Sequence, residues 1–337
     1  MNKKIISLFF CTLFIATSAF TATGTCNVDL IGSQHSSKRL IADSFDDDVP
    51  IWEIGDGWEY RINEIYLELG FEGQPVQVHG KIDNLYFEVT DVSDDSYKLE
   101  YNSKVDGGFN VDIDLYYLGL GDGSIKTSGE LAVAKLSGDM VLKKSDLGIK
   151  EINAEISGIL KIKIEEQPFI PIPTITIPIP ARISLNANSN NPFTILDFPL
   201  STGKEWGLPS STFLVDGEIK SIWLNVLNLI NKVAGLLGKD FIPPVIADLL
   251  PVIDITDTIE VLDLIDIFNG YLERTEYPDV FSCSNLETVT VEAGTFDAYN
   301  ISVMQGLGYI YYAPELGNIL KISGHSINAE IIKVYNV

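Results

Sequence analysis

From about residue 51 the chain alternates large apolar with polar side chains, the period of a strand that buries one face. Trp58-Glu59-Tyr60-Arg61-Ile62-Asn63, Val76-Gln77-Val78-His79, Leu85-Tyr86-Phe87-Glu88-Val89, Tyr97-Lys98-Leu99-Glu100-Tyr101 and the run from Phe109 to Leu115 all carry it. Turn residues at Ser93-Asp94-Asp95-Ser96, Asp106-Gly107-Gly108 and Gly121-Asp122-Gly123-Ser124 punctuate these runs and predict short hairpin-linked strands. A second meander follows from Ile125 through Leu131-Ala132-Val133, Met140-Val141-Leu142 and Ile152 to Ile164. Strands resume at Glu287 to Val291, Tyr299 to Val303 and Tyr309 to Tyr312, and finish at Ile331 to Tyr335. With no helical period between the early strands, the pattern argues for an antiparallel sheet and against a parallel α/β one.

Two stretches depart from this rhythm. In Gln167 to Pro180, five prolines alternate with Ile and Phe, and proline cannot donate to a sheet ladder. That stretch reads as an extended edge or an exposed loop. From Ile219 to Leu237 the apolar residues, Trp223, Val226, Leu227 and Ile230 among them, recur at helical spacing, with Lys220, Asn225, Asn228 and Lys232 opposite. Gly238 suits a C-cap, Pro243-Pro244 restarts a short helical turn, and Thr256 or Asp257 suits the N-cap of a helix to about Phe268. The expected fold is mainly β (α+β): a large curved antiparallel sheet or half-barrel, with an amphipathic helical block packed on its concave face.

Two echoes bear on whether that sheet is one unit or two. Gly55-Asp56-Gly57-Trp58 resembles Gly203-Lys204-Glu205-Trp206, and Ser145-Asp146-Leu147-Gly148-Ile149 resembles Pro314-Glu315-Leu316-Gly317-Asn318. Two tandem β units and one continuous sheet both fit. The segments are then a β meander over 51–166, a Pro/Ile-rich linker or hairpin over 167–194, and a second β region over 195–337 with a helical insertion at about 218–270.

The first residues change the picture of where the chain works. Lys3 and Lys4 precede an apolar run from Ile5 to about Ala16, then small residues through Gly24. This is the layout of a cleaved secretory signal, with the cut expected near Gly24, and it implies a secreted or cell-surface protein. Residues 25–50 read as an acidic strap. Cys11 leaves with the signal, so Cys26 and Cys283 form an even pair in an oxidising compartment, and a disulfide between them is expected. The formal net charge of −24 disfavours nucleic acid and anionic membrane surfaces as partners.

Three segments have a familiar look. Phe198-Pro199-Leu200-Ser201-Thr202-Gly203-Lys204-Glu205-Trp206, Val289-Thr290-Val291-Glu292-Ala293-Gly294-Thr295-Phe296-Asp297-Ala298-Tyr299 and Tyr311-Tyr312-Ala313-Pro314-Glu315-Leu316-Gly317 resemble the FPL-x-x-G-K-x-W, V-x-V-P-A-G-T-F-x-A-Y and Y-Y-x-P-E-x-G segments of exported β-rich proteins of unknown function. Glu292 stands where that pattern has proline. Those proteins are similar in outline to the lipoprotein-carrier half-barrels, in which a curved antiparallel sheet wraps helices and cradles an acyl chain. The resemblance lies mainly in the second half and carries no catalytic residue.

Reaction chemistry has little to hold. His35, His79 and His325 have no His or Cys at metal-ligand spacing, and no nucleophile elbow or phosphate-binding glycine loop occurs. The aspartates at 43, 46, 47 and 48, or at 106, 112 and 114, lack the spacing of a calcium loop. No catalytic residue, metal ligand or cofactor is assigned. The expectation is a non-enzymatic exported protein that binds a lipid, another hydrophobic small molecule or an envelope protein in the concavity, lined by Trp223, Val226, Leu227, Ile230 and Leu237. A cell-surface interaction module with a filled core and no ligand is the alternative, and an enzyme the third.

Overall fold

A computed structural model describes residues 49–71, 74–114, 124–164, 174–207, 211–221, 253–260, 281–324 and 327–336. The expected signal segment, Cys26 and most of the expected acidic strap lie outside them. The described strands are β1 (Gly57–Phe71), β2 (Gln74–Val92), β3 (Ser96–Asp114), β4 (Ser124–Lys143), β5 (Ile149–Ile164), β6 (Ile175–Phe193), β7 (Glu205–Trp206), β8 (Thr212–Ser221), β9 (Ile253–Glu260), β10 (Phe281–Val291), β11 (Gly294–Val303), β12 (Gly308–Ala313), β13 (Asn318–Gly324) and β14 (Ile327–Tyr335). They form one sheet in the order β7-β10-β11-β12-β13-β14-β1-β2-β3-β4-β5-β6-β8-β9, antiparallel in every pair and open at β7 and β9. The last strand, β14, lies against β1 and makes the two β regions one continuous sheet rather than two tandem units.

The sheet curls. Strand β10 comes back within reach of β13 and β14, and the Tyr60 hydroxyl on β1 donates to the Ile319 carbonyl on β13 at 3.1 Å. Curling lets one face of a single sheet cover itself, so Trp58, Phe87, Leu99, Phe213, Ile301 and Ile331 reach 0–1 % exposure in one hydrophobic core. Two loop segments complete the filling. Trp52 inserts against Trp58 and Tyr97, with ring centroids 5.4 and 4.8 Å apart, and its backbone N–H donates to the Tyr97 hydroxyl. The segment from Phe193 to Trp206 contributes Phe193, Leu196, Leu200 and Trp206. Lys204 holds that segment by donating to the Pro199 carbonyl at 2.9 Å and pairing with Asp197 at 3.0 Å, while the Trp206 indole donates to the Ile195 carbonyl and stacks on Phe281. The "FPL" motif is thus a plug for the concave face.

Several sequence expectations are corrected. Among the described residues there is no α-helix; the one helical turn is a 3-10 turn at Met304–Gly306. The expected helical block does not begin at Ile219, because Ile219 to Ser221 end β8 in register with β6. Where a helix is expected to start, at Thr256 or Asp257, the described residues through Glu260 form strand β9. Ile253, Ile255 and Ile259 alternate with Asp254, Thr256 and Thr258, and they pair with Ile219, Gly217 and Phe213 of β8. Strand-favouring β-branched residues at period two outweigh the capping signal there. Of the linker or hairpin expected over 167–194, the described part is mostly β6, which forms a hairpin with β5 and is an inner strand where β8 also pairs with it. Pro178 and Pro180 fall in its first part, where β5 pairs on one side and no described strand pairs on the other, so their missing N–H groups break no described ladder.

Asp106-Gly107-Gly108 is not a turn either. β3 runs straight through it, and Gly107 sits where a Cβ would come within 2.9 Å of the His79 carbonyl on β2. The glycine permits close strand approach, not chain reversal. Of the Cys26–Cys283 bridge expected from the sequence, only Cys283 lies within the described residues. Cys283 is a free thiol, 1 % exposed, inside the core, and its backbone pairs with Gly203 and Lys204 on one side and with Ile301 on the other.

Candidate functional site

Strands β1 to β6 are 15 to 20 residues long, whereas β10 to β14 have 6 to 11. The extra length divides each long strand in two along the register line Ile65–Gly80, Ile82–Val105, Val105–Ala134 and Ile156–Ile183. Among the described residues, the base half holds every buried apolar side chain of these six strands. In the far half (66–81, 106–133 and 157–182), Gly129 is the one buried residue among those described, and the Phe109 ring covers it.

The apolar alternation nevertheless continues on the same face. Leu67 pairs with Val78, Val78 with Phe109, Phe109 with Gly129 and Gly129 with Ile162, and Leu131 pairs with Leu160. Val78, Val105, Ile156 and Ile183 still pack against the core at the boundary. Phe109, Leu131, Leu160 and Ile162 are half-buried and do not join it. This gives a curled sheet whose concave face is plugged at the base by Trp52 and the 193–206 segment, and is apolar but only half-covered beyond. Trp223, Val226, Leu227, Ile230 and Leu237, expected to line the concavity, lie outside the described residues.

The opposite face is polar and bears an open cavity of about 550 Å³. Ser137, Asn153, Glu155, Ser184, Asn186 and Asp216 wall it, alternating with the core-face residues Gly138, Ala154 and Leu185, whose backbone forms its floor. Side-chain amides run in one direction across it: Asn188 donates to Asn186, Asn186 to Asn153, and Asn153 to Asp139 at 3.1 Å, which Lys98 approaches at 3.7 Å. Glu151 accepts from Asn153 and Asn186, and Glu155 pairs with Arg182. Beneath the floor, the Tyr101 hydroxyl crosses Gly138 to donate to the Asn153 carbonyl at 2.7 Å, and burial raises its pKa far above the usual range.

Elsewhere, burial raises the Asp56 carboxyl above its ordinary pKa while the Glu53 backbone N–H donates to it at 2.8 Å. Among the described residues no three His, Cys, Asp or Glu side chains are placed to hold a metal ion. Sequence reasoning found the apolar face but missed the polar cavity, whose signal was the unbroken run of Ser and Asn at alternate positions from Ser184 to Asn190. No protein-family model, no curated protein and no solved structure matches this chain.

Proposed function

We propose that the chain is an exported, non-enzymatic binding protein that takes an apolar, lipid-like molecule on the far half of its concave face. The observation that carries this reading is the continuation of the core-face alternation through Phe109, Leu131, Leu160 and Ile162, beyond the point where the core ends. A row of apolar side chains left half-covered next to a closed core is favourable to hydrocarbon, at about 25 cal/mol for each Å² removed from water. The base supplies the complementary part, a rigid plugged end that fixes the curl. The likeness of the three motifs to exported β-rich proteins and to acyl-carrying half-barrels points the same way, as does the apolar run after Lys3 and Lys4 for export.

Lipid extraction and native mass spectrometry of the full mature protein, purified without detergent, test the proposal. A co-purifying acyl lipid, or saturable uptake of a hydrophobic fluorescent probe that Leu160→Asp reduces at least tenfold, is the expected result. Absence of both overturns it. The second reading, a surface interaction module without a ligand, is favoured by the burial of Trp52, Leu196, Leu200 and Trp206 in the base. It predicts neither lipid nor probe uptake.

A further inference from the structure

A net charge of −24 weighs against an anionic partner, but that charge is not evenly spread. In the far half, β4, β5 and β6 carry Lys126, Lys161, Lys163 and Arg182 against a single carboxylate, Glu130, and Lys135 lies just across the boundary. The register gathers them on the polar face. Lys104, Lys135, Ser157 and Arg182 form one transverse row, Ala132, Ile159 and Pro180 another, and Glu130, Lys161 and Pro178 the row beyond, followed by Ser128, Lys163 and Thr176. Lys104, Lys126, Lys135 and Lys161 are exposed and make no ion pair among the described residues, while Arg182 is held by Glu155. The acidic neighbours on β3 are Asp106, which lies 3.8 Å from Lys81, Asp112, in register with Lys126, and Asp114, in register with Ser124.

In the middle of this basic field stands an apolar knob. The β4 ladder shifts between Ala132 and Lys135, and Val133 in that bulge has φ 54° and 82 % exposure. A β-branched residue in the left-handed region is strained, and glycine or asparagine would fill the bulge at lower cost. Ile159, opposite Ala132, is 39 % exposed, and Pro178 and Pro180 beside it on β6 are exposed as well. Neither Val133 nor Ile159 belongs to the core. The strain therefore holds an apolar side chain out in water, ringed by lysines.

We propose that this patch docks the protein on an anionic lipid bilayer, with Val133 and Ile159 entering the headgroup layer and Lys104, Lys135, Lys161 and Lys163 facing lipid phosphates. A bilayer offers both a negative surface and an apolar layer beneath it, and this face is complementary to both; a soluble polyanion answers only the lysines. The docking surface lies on the opposite side of the sheet from the concave face and does not depend on whether that face holds a ligand.

Co-sedimentation of the full mature chain with vesicles tests the assignment. Vesicles of phosphatidylcholine plus phosphatidylglycerol should bind it, increasingly weakly as salt rises, and pure phosphatidylcholine should not. Lys135→Gln and Lys161→Gln should each weaken binding about fivefold. Val133→Asn should weaken it about tenfold while leaving the melting temperature equal or higher, since asparagine tolerates the bulge; this separates docking from folding. Equal binding to neutral vesicles, no binding to anionic ones, or a Val133→Asn variant with undiminished binding overturns the proposal. So does capture by heparin that equals vesicle binding and is indifferent to Val133→Asn, which would point to a soluble polyanion.

Discussion

The base and far halves of β1 to β6 are built from the same strands, the same register and the same alternation, yet only one of them has a core. In the base, Phe87 sits at 0 % exposure between Tyr60 and Tyr101, with ring centroids 6.2 and 5.5 Å away. In the far half, Leu160 and Ile162 occupy equivalent core-face positions and stay half-buried. The difference lies in what faces them. The base is met by β10 to β14 curling round and by the Trp52 and Phe193–Trp206 insertions, whereas the shorter C-terminal strands stop before they reach the far half. Alternation makes a face capable of burial, but a second surface has to arrive for burial to occur.

The sharpest test of that contrast is truncation in each half. Phe87→Ala should cost about 3–5 kcal/mol and Leu160→Ala about 1 kcal/mol or less, read by urea unfolding of the full chain. Equal losses would mean that the far half is as well packed as the base. Glycine positions give a second, smaller contrast. At Gly138 a Cβ would collide with the Asn153 backbone and come within 2.6 Å of the Tyr101 hydroxyl, whereas at Gly129 the obstruction is the Phe109 ring, a half-buried side chain with room to turn. Gly138→Ala should therefore destabilise by about 3 kcal/mol and Gly129→Ala by about 1 kcal/mol, with the melting temperatures ranked accordingly. A reversed order would place the rigid part of the sheet at its far end.

The smallest effect concerns the plugged base alone. Burial pushes the Cys283 thiol up to about 11 from an ordinary 9.0, with the nearby Lys204 charge opposing. Between those values the folded state holds a proton that the unfolded chain has lost, so stability should fall as pH rises from about 9 to about 11. Cys283→Ala should remove that part of the decline in a pH series of chemical melts. Native protein should resist thiol alkylation at this residue until it is denatured, with no reductant needed; a requirement for reductant would reinstate a disulfide.

Much of the sheet is legible in the sequence. The runs at Trp58–Asn63, Leu85–Val89, Tyr97–Tyr101, Tyr299–Val303 and Ile331–Tyr335 are all strands with the expected inward residues, Trp58, Phe87, Leu99, Ile301 and Ile331 among them. Strand lengths are not legible. Val76–His79 and Leu85–Val89 are one strand, as are Tyr97–Tyr101 and Phe109–Asp114, because glycine at Gly107 reads as a turn when the local sequence is taken alone. Only the neighbouring His79 carbonyl explains why a side chain is unwelcome there. The Thr256 region fails for a related reason: a capping residue is a local signal, and pairing with Thr212–Ile219 is a long-range one that overrides it. The strained exposure of Val133 has no signature in the sequence, since nothing local places a bulge at that residue.

What the sequence by itself determined is which face of each strand is apolar, because side chains on a pleated strand alternate whatever lies around them. It also determined the overall acidity and the proline-bearing start of β6, where no described strand pairs on the second edge. The tertiary structure decided which part of that apolar face becomes core and where the few lysines gather. It did so because both depend on strand register and on the curl that brings β10 to β14 over the base, and those are set by contacts between residues far apart in the chain.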